Sequence, residues 1–250
     1  MSQTDAPLPG VEPGARTPPT PGLLSRVIGV VVSPVETLGH VARDPRPLGM
    51  LAFVTIASAV VSTVFFTTEV GQLAWMDTAI SQQEAFGVVP SDAQYEQMER
   101  MAGLMVYITP AYTLIFGPLF TLAIAGILKV AFTIITGAEG TFKQTIDVVA
   151  TSSVIVLLRS LFVLPLNYVQ ESMTSATNLG VLLPMLDPGG FPARSLGMID
   201  VFFVWWVAVL AVGLAVVFRR RVRPVAVALF SIYGVIALAI ALVLSWVGGS

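Results

Sequence analysis

Cysteine is absent from the 250-residue sequence, and His40 is the only histidine. The chain therefore cannot form a disulfide, offer a thiol nucleophile or build a Cys/His zinc site. A Ser-His triad within the membrane is excluded for the same reason. The apolar runs also lack an acidic dyad that could act as a catalytic pair. The sequence thus predicts no catalytic, cofactor-binding or metal site, and we expect the protein not to be an enzyme.

Charged residues are scarce as well, at 11% of the chain against 55% hydrophobic residues. A soluble core of this size could not bury so much apolar surface, so the composition predicts a polytopic membrane protein. The lipid bilayer is then the first partner, and the expected location is the cell (inner) membrane. The sequence shows no nucleic-acid-binding pattern, so no nucleic-acid partner is predicted.

Apolar runs that could each cross a bilayer, which takes about 20 residues per helix, follow one another along the chain. The second and third are joined by the short loop 137–144, where Thr141 and Gln144 form a capping box that starts a helix. The rest of the chain is organised around this helical hairpin. We predict an all-α domain over residues 23–247 with five transmembrane helices, at about 48–67, 104–136, 145–169, 199–218 and 225–247.

The chain before the first run divides into a tail and two short segments. Residues 1–22 contain six prolines and almost no large apolar side chain, which predicts a disordered, Pro-rich cytoplasmic tail. Residues 23–32 are apolar but too short to span. A capping box, Ser33 to Glu36 with proline at the first helical position, then predicts a helix over 34–43 on the cytoplasmic interface.

Residues 68–103 form the largest segment expected outside the membrane, and their charged residues are all acidic except Arg100. A third capping box, formed by Ser91 and Gln94, lies near the end of this segment. Methionines and a tyrosine recur at helical spacing after it. The second transmembrane helix is therefore predicted to begin as a helix that protrudes from the membrane.

The 13 lysines and arginines predict the orientation of the bundle, because cytoplasmic loops carry an excess of both. With the N-terminus inside and the C-terminus outside, ten lie on the inner side, two on the outer side and one, Arg159, within the membrane. The acidic residues of 69–99 then fall outside. The inner residues are Arg16, Arg26, Arg43, Arg46, Lys129, Lys143, Arg219, Arg220, Arg221 and Arg223, and the outer ones are Arg100 and Arg194.

Charges inside the apolar runs are candidates for ion pairs. An unpaired arginine near the bilayer centre costs about 2.5 to 3.5 kcal/mol on insertion scales, so Arg159 should have a partner, and Asp200 is the best candidate. Lys129 and Asp147 lie at comparable depths on the two arms of the hairpin and form a second candidate pair. Such pairs either fix helix packing or line a transport pathway, and we favour packing.

The cluster Arg219, Arg220, Arg221 and Arg223 separates the last two apolar runs. It acts first as a topology signal, and it is also a candidate contact for anionic lipid. The same inner face carries the tail and the helix over 34–43, so an unknown protein partner is expected there. A second copy of the chain is a further candidate partner, with which it would form a homo-oligomer.

Several segments resemble the Yip family, the Ypt-interacting-protein domain, in its bacterial membrane members. They are SPVETLGHVARDPRP, GAEGTFKQTIDVVATSSVI, TNLGVLL and IDVFFVWWVAVLAVGLAVVFR, with Trp205, Trp206 and Gly213 in the last, and the resemblance covers about residues 23–247. It implies a five-span bundle with a cytoplasmic N-terminus. The chain lacks the D-L-Y-G-P motif of the eukaryotic members linked to Rab GTPases, so Rab binding is not implied.

What the resemblance implies for function is a non-enzymatic integral membrane protein, a membrane-organising or partner-binding scaffold. The alternative is a component of a small-molecule or ion transporter or channel that uses the intramembrane charges. A water-filled cavity that joins Arg159 to a surface would favour transport. A dry bundle with paired charges would favour the scaffold.

Overall fold

A computed structural model describes residues 22–85, 87–137, 139–171, 173, 177–183, 185 and 190–247 of the chain. Apart from Gly22, the tail predicted over residues 1–22 lies outside the described residues. Within the described ranges every regular element is helical, as the sequence predicted. The helices are α1 (Leu23–Val32), α2 (Pro34–Arg43), α3 (Pro47–Phe66), α4 (Glu69–Ala85), α5 (Asp92–Thr136), α6 (Phe142–Ser152), α7 (Val154–Gln170), α8 (Phe191–Gly197), α9 (Val201–Val217) and α10 (Val222–Val247), with a 3-10 helix at Leu179–Leu182.

Among the helices of the described ranges, four are long and apolar enough to cross a membrane. They cover Pro47–Phe66, Asp92–Ile135, Phe142–Gln170 and Val222–Val243, which correspond to four of the predicted runs. The other predicted run, 199–218, forms α9, which is apolar but has 17 residues. It is shorter than the run because Asp200 occupies the N-cap position and the helix ends before Phe218.

Helix α5 is one continuous helix of 45 residues that includes Pro110 and Pro118. It begins at the predicted capping box of Ser91 and Gln94. There the Gln94 side-chain oxygen accepts a hydrogen bond from the Ser91 backbone N–H at 2.8 Å. At 1.5 Å per residue it is about 68 Å long, against about 30 Å of hydrocarbon in a bilayer. The acidic segment and the second apolar run are therefore joined by a single helix, as the sequence predicted.

Helix α6 lies at the centre of the bundle. All residues from Thr145 to Ser152 are buried, and α6 contacts α1, α2, α3, α5 and α9. A helix that is buried on every side needs apolar residues around its whole circumference, or polar residues with partners. Val148 and Val149 meet the first condition, while Asp147 and Thr151 have to meet the second.

The predicted third span, 145–169, is divided in the structure. Helix α6 ends at Ser152 and α7 begins at Val154. At the junction the Ser153 hydroxyl donates to the Val149 carbonyl at 2.8 Å, the kind of back-bonding that bends helices. The two helices together still form one apolar stretch of 29 residues.

Helix α2 is part of the core, which differs from its predicted position on the interface. Leu38 and Val41 are fully buried in the main hydrophobic cluster, whereas Val35 is 64% exposed. The face is buried because α2 packs against α6 and α9. Ser33 occupies the predicted N-cap position with Pro34 next to it, but its side chain makes no capping hydrogen bond.

Gly213 allows α9 to approach α6 and α2 closely. A Cβ atom built on this residue would lie 2.4 Å from Val148 Cγ1 and 3.4 Å from Leu38 Cδ1. Real Cβ atoms do not tolerate the first distance, so any larger residue would push the helices apart. Gly213 belongs to one of the segments on which the family resemblance depends, and its role is to allow close packing.

Candidate functional site

Two buried carboxylates among the described residues form ion pairs, and the first of these pairs lies in the core, between α1 and α6. Asp147 is fully buried and Arg26 is 7% exposed. The Arg26 Nη2 group donates to Asp147 Oδ1, and it also donates to Thr151 Oγ1 at 2.9 Å, one turn further along α6. A charge buried this deeply is tolerated only with a partner of opposite charge and further hydrogen bonds, and Asp147 has both.

The second carboxylate oxygen of Asp147 links this pair to α3. The Arg46 backbone N–H, at the N-cap position of α3, donates to Asp147 Oδ2 at 2.5 Å. One turn earlier on α6, the Gln144 side-chain amide donates to the Ala42 carbonyl at the end of α2, at 2.6 Å. The polar residues of α6 therefore hold α1, α2 and α3 in place around it.

The structure pairs Asp147 with Arg26 and not with Lys129, the partner considered from the sequence. Lys129 Nζ donates to Thr133 Oγ1 at 2.9 Å, one turn further along its own helix. The sequence does not indicate Arg26 as the partner of Asp147, because the short run 23–32 lies far along the chain from the membrane hairpin. A signal was present nonetheless, since Arg26 is the single charge in that apolar run.

The second ion pair joins α7 to the start of α9. Arg159 Nε donates to Asp200 Oδ2 at 2.8 Å, so the structure brings together the two residues that the sequence analysis paired. The Arg159 guanidinium also lies over the Phe203 ring, 5.4 Å from its centroid. Asp200 is buried, and the Arg159 side chain is 23% exposed.

Asp200 also caps α9 and holds the segment that precedes α8. Its Oδ1 accepts a hydrogen bond from the Phe202 backbone N–H at 2.9 Å, as an N-cap residue does. Its Oδ2 accepts another from the Thr177 hydroxyl at 2.6 Å, and its backbone forms an isolated β-bridge with Asn178. TNLGVLL, one of the segments that carry the resemblance, is thereby fixed against the first turn of α9.

The chemistry available to these two sites is that of helix-to-helix attachment. Each carboxylate faces a guanidinium from a different helix, and the remaining oxygens accept from backbone or hydroxyl groups. Over the residues that the structure describes, His, Asp and Glu side chains form no group of three or more that could hold a metal ion. By 1.5 Å per residue, Asp147 and Arg159 are about 18 Å apart along α6 and α7, so the pairs are separate sites.

The third predicted site is the arginine cluster at the junction of α9 and α10, with Arg223 in the first turn of α10. Arg219, Arg220, Arg221 and Arg223 are all exposed. Two residues after α9, Arg219 has a left-handed backbone, φ 52°, and the Arg220 N–H donates to the Ala215 carbonyl at 2.8 Å. This is a helix-ending turn of the kind that usually has glycine at the left-handed position.

Comparison with known proteins identifies one family. The Yip1 domain matches residues 28–245, which include α2 to α9 in full and most of α10. No curated protein and no solved structure is significantly similar to the chain. Asp147, Arg159 and Asp200 lie within the matched range, and Arg26 precedes it by two residues.

Proposed function

The chain belongs to the Yip1 domain family, and on this premise we propose that it is a non-enzymatic, multi-pass membrane protein that organises its membrane or holds partner proteins there. One observation carries the proposal. Within the described residues, the two buried carboxylates, Asp147 and Asp200, bind arginines from other helices, so these charges connect helices. Paired charges of this kind specify which helices pack together, and a bundle with a fixed arrangement of helices suits a platform.

The rival function, a transporter or channel component, would need a polar path past these charges. Two grooves in the described part of the bundle have volumes of about 380 and 800 Å³. The first lies beside α8 to α10 and the second between α5 and α10. Neither is lined by a member of the two ion pairs. These two grooves therefore offer no route past the paired charges.

We place the protein in the cell (inner) membrane with five transmembrane helices, its N-terminus inside and its C-terminus outside. The additional helix is α9, whose 17 residues make about 26 Å, at the short end of what spans a bilayer. Asp200 at one end of α9 and the arginine cluster at the other suit the two surfaces of the membrane. The ten inner lysines and arginines against two outer ones support the orientation.

The natural absence of cysteine makes this topology directly testable. We would introduce single cysteines by V89C, E139C, M185C and R221C, one in each exposed segment between helices. In intact cells a membrane-impermeant maleimide should label positions 89 and 185 and leave 139 and 221 unlabelled. After permeabilisation all four should react.

The decisive comparison is between positions 185 and 221, which flank α9. Labelling of both in intact cells, or of neither, would show that α9 does not cross the membrane. Labelling of 139 in place of 89 would reverse the orientation. The unmodified protein, which cannot react, is the control.

The inner face is the surface where we expect a protein partner or a second copy of the chain. A photo-crosslinking amino acid at Lys143, which is exposed beside the start of α6, should capture proteins in living cells. The same amino acid at Val89, exposed on the outer side in our orientation, should capture few. A product of twice the monomer mass would identify a homo-oligomer. Products from Val89 alone would place the interaction surface outside and contradict the proposal.

A further inference from the structure

An apolar groove runs between the C-terminal half of α5 and the start of α10. Its volume is about 800 Å³, within the range of pockets that bury most of a small ligand's surface. Ile127, Leu128 and Ile135 line it from α5, and Ala228, Leu229 and Ile232 line it from α10. Of these, Ile127, Ile135 and Ile232 are more than half exposed, so the groove opens on the side that meets lipid chains.

One end of this groove carries a concentrated positive charge. Arg219, Arg220 and Arg221 belong to its lining, and all three side chains are exposed. Guanidinium groups bind phosphate through paired, charge-assisted hydrogen bonds. Arg223 lies in the first turn of α10 and does not line the groove.

The backbone at Arg219 gives an independent reason to look for a ligand here. Its left-handed conformation, φ 52°, is unfavourable for any residue with a Cβ atom and is normally occupied by glycine. Backbone strain of this kind is common where a side chain serves a ligand. A signal for topology alone could use the other arginines of the loop and leave glycine at this turn.

We propose that the groove binds one anionic phospholipid, with an acyl chain between α5 and α10 and the phosphate at Arg219 to Arg221. The apolar walls match the chain, and the cationic end matches the headgroup. A partner helix with an apolar face would match only the walls, whereas an anionic lipid matches both the walls and the cationic end, so the charge favours a lipid. The inference rests on the proposed membrane location, but it depends neither on the platform role nor on the orientation.

The test uses the full chain purified in a nonionic detergent, with bound lipid counted by native mass spectrometry. Phosphatidylglycerol should bind at least about tenfold more tightly than phosphatidylcholine, because each arginine near an anionic headgroup contributes about a fivefold gain. Glycerol phosphate, which has the headgroup chemistry without a chain, should not displace it at millimolar concentration. Displacement by glycerol phosphate would show a free phosphate site and overturn the lipid assignment.

Two variants form a matched pair within the arginine cluster. R221Q should weaken phosphatidylglycerol binding about fivefold, whereas R223Q, which removes the same charge outside the groove, should change it less than about twofold. R219G should weaken binding to the same degree as R221Q while the melting temperature stays the same or rises, because glycine relieves the backbone. A228F should fill the groove and abolish binding of both lipids.

Equal losses for R221Q and R223Q would mean that only the general positive field of the loop attracts the lipid, and the groove assignment would fail. Unchanged binding in A228F would contradict it as well. These outcomes are separate from a failure of the proposed function. Crosslinking and cysteine labelling test that function in cells, whereas lipid counting is done on the isolated protein.

Discussion

Asp147→Ala should lower the free energy of unfolding by about 3 to 5 kcal/mol, the largest loss that we expect from one substitution. The variant leaves the Arg26 guanidinium buried without its counter-charge, in a core where that residue is 7% exposed. It also removes the acceptor of the Arg46 backbone N–H at the start of α3. Unfolding would be measured by titration with a denaturing detergent and followed by tryptophan fluorescence.

Two further variants separate the charge from the packing at this position. Asp147→Asn keeps the shape and an oxygen that can accept from the Arg46 amide, so its loss should be smaller. The double variant R26M/D147L removes both charges and fills the space with apolar side chains. It should recover most of the lost stability, as replacement of buried ion pairs often does. A double variant as unstable as Asp147→Ala would show that the unpaired charge is not the cause.

Gly213→Ala should cost about 3 kcal/mol, at the upper end of what one extra methyl group costs in a packed core. The added Cβ would lie 2.4 Å from a methyl carbon of Val148, which is fully buried on the central helix. Neither residue can move without shifting α6 against α9. The same detergent titration measures the loss.

The matched control for this substitution is Gly234→Ala on α10. A Cβ there would meet no atom within 4 Å, and alanine favours a helix over glycine by up to about 1 kcal/mol, so stability should stay or rise. The double variant G213A/V148A should lose less than the sum of the two single losses, by about 1 kcal/mol or more. Strict additivity would mean that the two residues do not clash.

The sequence predicted those features that depend on local chemistry. Apolar runs fix where long helices lie, and capping boxes fix where α5 and α6 begin, because both signals are contained within a few neighbouring residues. The pairing of Arg159 with Asp200 could also be predicted from the sequence. Each is an isolated charge at the edge of or within an apolar run, and such a charge needs a partner in the membrane.

Features that depend on which helices pack against each other could not be predicted from the sequence. The periodicity of α2 marks an apolar face but does not say whether lipid or protein covers it, and in the structure α6 and α9 cover Leu38. Asp147 offered a choice of cations, and the one it binds lies 121 residues earlier in a helix too short to span. The spacing of residues within one hairpin therefore could not predict Arg26 as the partner.

The two ion pairs differ in the order in which the ribosome makes their members. Arg26 is already synthesised when Asp147 emerges 121 residues later. The counter-charge for the central helix α6 is therefore present when that helix is made. Arg159 emerges first, and Asp200 follows after 41 residues, about 2 to 8 s at ordinary rates of translation. During that interval Arg159 must be held by the insertion machinery or by lipid headgroups. The second ion pair therefore forms only when α9 is made, because the N-cap residue of that helix is Asp200.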